Sequence, residues 1–144
     1  MNKILNSKCF YLDPASLRYL WLVSLALVLV LMAGCRTAPI KDVPRTRVPV
    51  SGASDTSVRN AIITAGAGLG WIIREKSPGL LVGTLHLRTH MAVVEIPYSA
   101  TSYSIRYKDS SNLYYDATNR TIHSNYNGWI SNLNRAILAS LSTL

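Results

Sequence analysis

Cysteine, histidine and acidic residues are all scarce in this 144-residue chain, and each scarcity removes a class of chemistry. Asp and Glu number 7 against 15 Lys and Arg, which leaves a net charge of +8, and the acidic residues stand isolated from one another. A pair of carboxylates poised across a glycosidic bond is therefore not expected. His86, His90 and His123 are the only imidazoles and have no Asp or Glu at ligand spacing. They are read as structural or surface residues, with no metal expected. No Gly-x-x-x-x-Gly-Lys-Ser/Thr loop is present. The glycines at 66, 68 and 70 would fall at a helix C-terminal end, where the dipole repels phosphate. There is no Gly-x-Ser-x-Gly elbow, and a Ser-His-Asp set drawn from Ser110, His123 and Asp109 has no motif behind it. No catalytic residue and no cofactor are assigned, and a non-enzymatic protein is expected.

What the chain does have is one long apolar run. Tyr19 to Gly34, about 16 residues, is interrupted only by Ser24 and follows a stretch holding Lys3, Lys8 and Arg18. That length lies between the apolar part of an export signal and a short membrane span. The run ends in Leu31-Met32-Ala33-Gly34-Cys35, which resembles the lipobox of bacterial lipoprotein precursors. Small residues let the chain enter a peptidase in extended form, and the cysteine sulfur takes the acyl chains. Met32 departs from the more usual Leu, which stands one place earlier. The resemblance implies that residues 1–34 are a signal peptide and that Cys35 is the lipidation site, with acyl chains such as palmitate holding the protein to a membrane. Arg36 occupies a place where Asp commonly marks inner-membrane retention in Gram-negative bacteria. The resemblance therefore implies an outer-membrane protein facing the periplasm. The alternative is an uncleaved inner-membrane signal anchor. With Cys9 removed and Cys35 acylated, no thiol remains for a disulfide, a nucleophile or a metal.

Residues 35–54 combine the candidate lipidated cysteine with Pro39, Pro44 and Pro49, scattered basic residues and Ser51-Gly52-Ala53-Ser54. Without a sustained period, this segment is expected to be a flexible tether reaching on the order of 60 Å when extended. Its Arg36, Lys41, Arg45 and Arg47 either meet anionic head groups or peptidoglycan, or are simply solvated.

Residues 55–144 carry the periodicities of a small α+β domain. Asp55-Thr56-Ser57 offers helix caps, and Val58, Ala61, Ile62, Ala65 and Leu69 fall on one helical face. Small residues at its end permit close approach to a sheet, and Gly70 is a candidate terminator. Trp71–Lys76 reads as a strand stopped by Ser77-Pro78-Gly79. Alternation then marks strands through Leu81–Arg88, Ala92–Tyr98 and Tyr103–Tyr107. Lys108 to Asn119 is polar and turn-rich. Tyr126, Trp129, Ile130, Leu133, Ile137 and Leu141 form the stripe of a final helix, with Ser124 or Asn125 as cap. The expected architecture is an antiparallel meander of about four strands, with an N-terminal and a C-terminal helix packed on one face, in the order α-β-β-β-β-α.

The pattern Tyr103-x-Ile105-x-Tyr107-x-x-Ser110-x-x-Leu113-x-Tyr115, with Ile122-His123-x-x-Tyr126-Asn127-x-Trp129-Ile130-x-x-Leu133, resembles small envelope lipoproteins of Gram-negative bacteria. The resemblance brings no activity with it. The candidate binding surface read from the residues is Tyr103, Arg106, Tyr107, Lys108, Tyr114, Tyr115 and Arg120, where tyrosines and cations alternate. The bland reading packs Tyr103 and Tyr107 under the helices and lays Tyr114 and Tyr115 on a sheet edge. The expected role is a protein-interaction module for assembly, secretion or maintenance of the envelope. Expected partners are the membrane, through the N-terminal lipid, and an envelope protein. Two alternatives are a binding module for an anionic glycan or lipid, such as peptidoglycan or lipopolysaccharide, and an enzyme without a recognisable motif. Nucleic acid is not an expected partner, because the charge is scattered and the chain is exported.

Overall fold

The computed structural model describes residues 36–144; the signal-peptide reading of residues 1–34 and the lipidation of Cys35 lie outside the described residues. The α+β expectation holds, and its core is the meander. Strands β3 (Trp71–Ser77), β4 (Leu80–Leu87), β5 (His90–Pro97) and β6 (Ser102–Ser111) follow one another as antiparallel neighbours. Period-two alternation sends Trp71, Ile73, Leu81, Leu85, Ala92, Val94, Ile96, Tyr103 and Ile105 to one buried face. The β3–β4 turn is closed by Gly79 at φ +79, a conformation in which a side chain would be strained. Strand β6 runs further than the alternation through Tyr107 indicates, taking in part of the polar stretch after it.

The segment expected to be a tether is part of the fold. Strand β1 (Thr37–Pro39) pairs with β7 (Thr121–His123), and strand β2 (Val43–Arg47) pairs with β6. The main sheet therefore has five strands in the order β2-β6-β5-β4-β3, and Arg36–Leu144 forms one compact unit. Prolines misdirect the sequence reading here. Pro44 lies in an edge strand, where its missing N–H costs no ladder bond, and the register shift between Val43 and Thr46 absorbs the irregularity. Val43 and Val48 are buried. Hydrogen bonds fix the rest: Ser124 N–H to Arg36 O (2.9 Å), Ile40 N–H to Arg120 O (2.8 Å) and Val48 N–H to Thr101 O (2.9 Å).

Two helices close the buried face. Helix α1 (Asp55–Ala67) starts one residue earlier than the sequence caps indicate, at N-cap Ser54, which forms a capping box with Ser57. It buries Val58, Ala61, Ile62 and Gly66, while Leu69 lies beyond the helix and is exposed. A Cβ on Gly66 would collide with the Ile73 side chain, so this glycine is what lets α1 approach β3. Helix α2 (Ser124–Leu141) buries Tyr126, Ile130, Leu133, Ile137 and Leu141 of the stripe expected from its sequence, while Trp129 is only partly buried at its border. Its N-cap is His123, whose side chain accepts from the Asn125 N–H, in place of Ser124 or Asn125. No helix among the described residues is long and apolar enough to cross a membrane.

Candidate functional site

Strand β6 divides the sequence-predicted surface between its two faces. Tyr103 turns inward, only 1% exposed, and donates its hydroxyl to Asn134 Oδ1 at 2.7 Å. Burial pushes its pKa up to about 12. Tyr107 also turns inward and is half-buried, with its hydroxyl 3.0 Å from Ser110 Oγ. Its ring lies 4.3 Å from that of Tyr115 and meets Tyr126 edge-on at 5.8 Å. These rings serve the core and its border. Tyr126, beneath them, has a buried hydroxyl with no partner among the described residues, and burial drives its pKa far upward.

Arg106 and Lys108 point the other way. Lys108 Nζ sits 2.9 Å from Glu95 Oε1, with Lys76 Nζ on the same oxygen at 3.5 Å. The Lys108 hydrogen bond holds the Glu95 carboxyl below its ordinary pKa. Arg120 is on neither face of β6: it precedes β7 and bonds Asp42 Oδ2 at 3.0 Å. Arg106 makes no ion pair among the described residues. It lines a pocket of about 260 Å³ with Arg45, Pro97, Tyr98, Ser102 and Ser104. Arg45 donates its Nε–H to Ser102 Oγ at 3.0 Å, and its terminal amino groups have no partner among the described residues. Two guanidiniums without an ion pair among the described residues, beside hydroxyls, make a site able to take a carboxylate or phosphate group. Arg45, expected only as a tether cation that meets anionic groups or is solvated, comes beside Arg106 through the β2–β6 pairing, which its sequence neighbourhood does not signal.

The outward faces of β3 to β6 form one surface. Ile72, Thr84 and Val93 stand in register, as do Arg74, Val82, Glu95 and Arg106. None of these belongs to the buried core, and Ile72 is 55% exposed. A shallow groove here is lined by Ile72, Arg74, Lys76, Val82, Thr84 and His86.

Tyr114 belongs to a third place, the end of the sheet beside β1 and β7. Leu113 is buried there between Asn112 and Tyr114, both left-handed at φ 58 and φ 51. That conformation costs roughly 1–2 kcal/mol per residue, and burying Leu113 contributes about 1.5–3 kcal/mol in return. The result holds the Tyr114 ring outward at 69% exposure. From Tyr114, rings follow one another to His123 (6.3 Å), His90 (6.2 Å) and Trp129 (6.4 Å). His90 Nδ1 donates to Asn112 O at 2.8 Å, and His123 Nδ1 caps α2, so both imidazoles brace local backbone. Ser110 Oγ is engaged with Tyr107, and Asp109 accepts from the Ser110 N–H. Among the described residues no three His, Cys, Asp or Glu side chains come together as metal ligands.

No family model matches this chain, and neither a curated protein nor a solved structure is detectably similar to it.

Proposed function

We propose that this chain is an envelope lipoprotein, cut before Cys35 and acylated there, whose residues 36–144 act without catalysis as a protein-interaction module on the periplasmic side of the outer membrane. The observation that carries the interaction role is the bare outer face of the sheet. Both helices bury their stripes against the inner face, which leaves Ile72, Val82 and Val93 outside the core. Around them stand Arg74, Lys76, Arg106 and Lys108, with Glu95 already held by two lysines. An apolar strip with a basic rim suits a protein partner that offers apolar side chains within an acidic border.

A photo-crosslinking side chain placed at position 72 in living cells tests this. One protein adduct is expected, lost when Arg74→Glu and Arg106→Glu are introduced together. Labelling that survives those reversals, or an absence of protein adducts, removes the reading. Fractionation of Cys35→Ala tests the anchor separately: retention of a lipidated, membrane-bound form would exclude Cys35.

The pocket shared by Arg45 and Arg106 favours a second reading, a binding module for an anionic envelope ligand such as lipopolysaccharide or peptidoglycan. Salt-sensitive binding to the isolated glycans, weakened by Arg45→Ala and Arg106→Ala, distinguishes it from the first.

A further inference from the structure

We infer that the end of the sheet carrying Tyr114, Leu87 and Arg88 is a membrane-contact surface that seats on lipid head groups, with the strands standing up from the bilayer. This rests on the reading of Cys35 as the lipidated residue.

The first step is covalent geometry. A long tether would let the domain roam, but there is none: Arg36 follows Cys35 directly, its carbonyl accepts from Ser124 N–H, and Thr37 is already in strand β1 opposite His123. Consecutive Cα atoms are about 3.8 Å apart, so an acylated Cys35 holds the His123 end of the domain within roughly a residue or two of the head-group layer.

The second step is what surrounds that point. The strands run between two unlike ends. The far end holds the β3–β4 turn at Pro78-Gly79 and the Ser99–Thr101 turn, tied together by Tyr98 N–H to Gly79 O. It is polar and rich in hydroxyls. The near end holds the β4–β5 turn, whose His90 is bonded to Asn112 O, and the loop bearing Tyr114, stacked toward His123. Two exposed large side chains stand here. Leu87 is 46% exposed, and Tyr114 more so. Leu69 precedes β3, whose first residue Trp71 pairs with Leu85 just short of the same turn. Trp129 closes the chain of rings.

The third step is chemistry. Tyr and Trp combine an apolar ring with a polar group and concentrate at membrane interfaces, while leucines at a turn tip can dip below the head groups. Arg36 and Arg88 add positive charge toward anionic lipid. Glu75 and Glu95 pair in register with Leu81 and Val82, away from this end. Asp116, in the near-end loop, is occupied by Thr118 and Asn119. Asp109 lies on β6 opposite Val93. In this pose the outer sheet face stays upright and open to a partner.

The test uses the full chain, expressed in cells so that it is processed, purified and reconstituted into vesicles of phosphatidylethanolamine and phosphatidylglycerol. Leu87→Cys and Ser77→Cys each supply a single thiol for a nitroxide label at an exposed position, Leu87 beside the β4–β5 turn and Ser77 beside the β3–β4 turn. The expected result is a Leu87 label shielded from a water-soluble nickel chelate and open to oxygen, with the Ser77 label fully open to nickel. Restoration of nickel access by adding Arg88→Ser and Tyr114→Ser to Leu87→Cys is also expected. Equal nickel access at both labels, with acylation of Cys35 confirmed by mass spectrometry, overturns the contact surface and leaves the anchor intact. Absence of acylation overturns the anchor, and the contact surface with it.

Discussion

Thr37 stands directly opposite His123, so the chain is committed to a β-pair two residues after Cys35. One residue of that pair begins the domain and the other caps its last helix. The β1–β7 pair therefore joins the start of the domain to α2, and through the α2 stripe to the core. Asn127 reinforces the same junction from the first turns of α2. Its Oδ1 accepts from Lys41 N–H at 2.9 Å and its Nδ2 donates to Pro39 O at 2.8 Å.

Replacing Asn127 by Ala removes both bonds at once. The expected cost is about 1–3 kcal/mol, read as a lower urea midpoint. Amide exchange in residues 37–43 should accelerate more than exchange in β4 and β5, because the junction loosens before the meander does.

Tyr103 on β6 and Tyr126 on α2 are both buried in the core, yet their hydroxyls differ in partnership. Tyr103→Phe strands Asn134 Oδ1 and should destabilise by roughly 1 kcal/mol. Tyr126→Phe removes an unpartnered buried hydroxyl, so it should leave the urea midpoint unchanged or raise it. A clear loss in the second variant would mean that the hydroxyl has a partner.

Alkaline titration should expose the same two rings. Burial raises the Tyr103 pKa from its ordinary value near 10 to about 12 and moves Tyr126 in the same direction. Between those values the unfolded chain releases protons that the folded chain retains. Stability from these rings is thus fully present below pH 10 and falls as pH rises through 12. The urea midpoint should decline across that window, with a shallower decline in Tyr103→Phe.

Gly66→Ala inverts the usual rule for helices. An exposed helical glycine gains up to about 1 kcal/mol on becoming alanine. At Gly66 the new methyl falls on Ile73, so a loss of about 1–3 kcal/mol is expected in thermal or urea unfolding. Trimming the neighbour with Ile73→Val should recover part of it, since the two positions touch.

The candidate site was legible in parts. Tyr103, Arg106, Tyr107 and Lys108 stand in one alternating strand, and that alternation already separates the tyrosines from the cations. What it leaves open is which face the helices cover. Arg120 reads as a free cation until Asp42, distant in sequence, is brought beside it. Arg45 reads as part of a linker until β2 lies against β6.

Local periodicity was enough to determine the meander and the two helices. A strand that alternates and a helix with a stripe each declare their buried side within a few residues, as Val94 and Ile96 do on β5 and Ile130 and Leu133 do on α2. Tertiary structure alone decided the fate of residues 36–54. Short segments interrupted by prolines have no local signal strong enough to outweigh chain entropy, so their order comes from distant partners such as His123, Ile105 and Asn127. Those partners turn an expected tether into the first strands of the domain, and so decide at which end of it Arg36 stands.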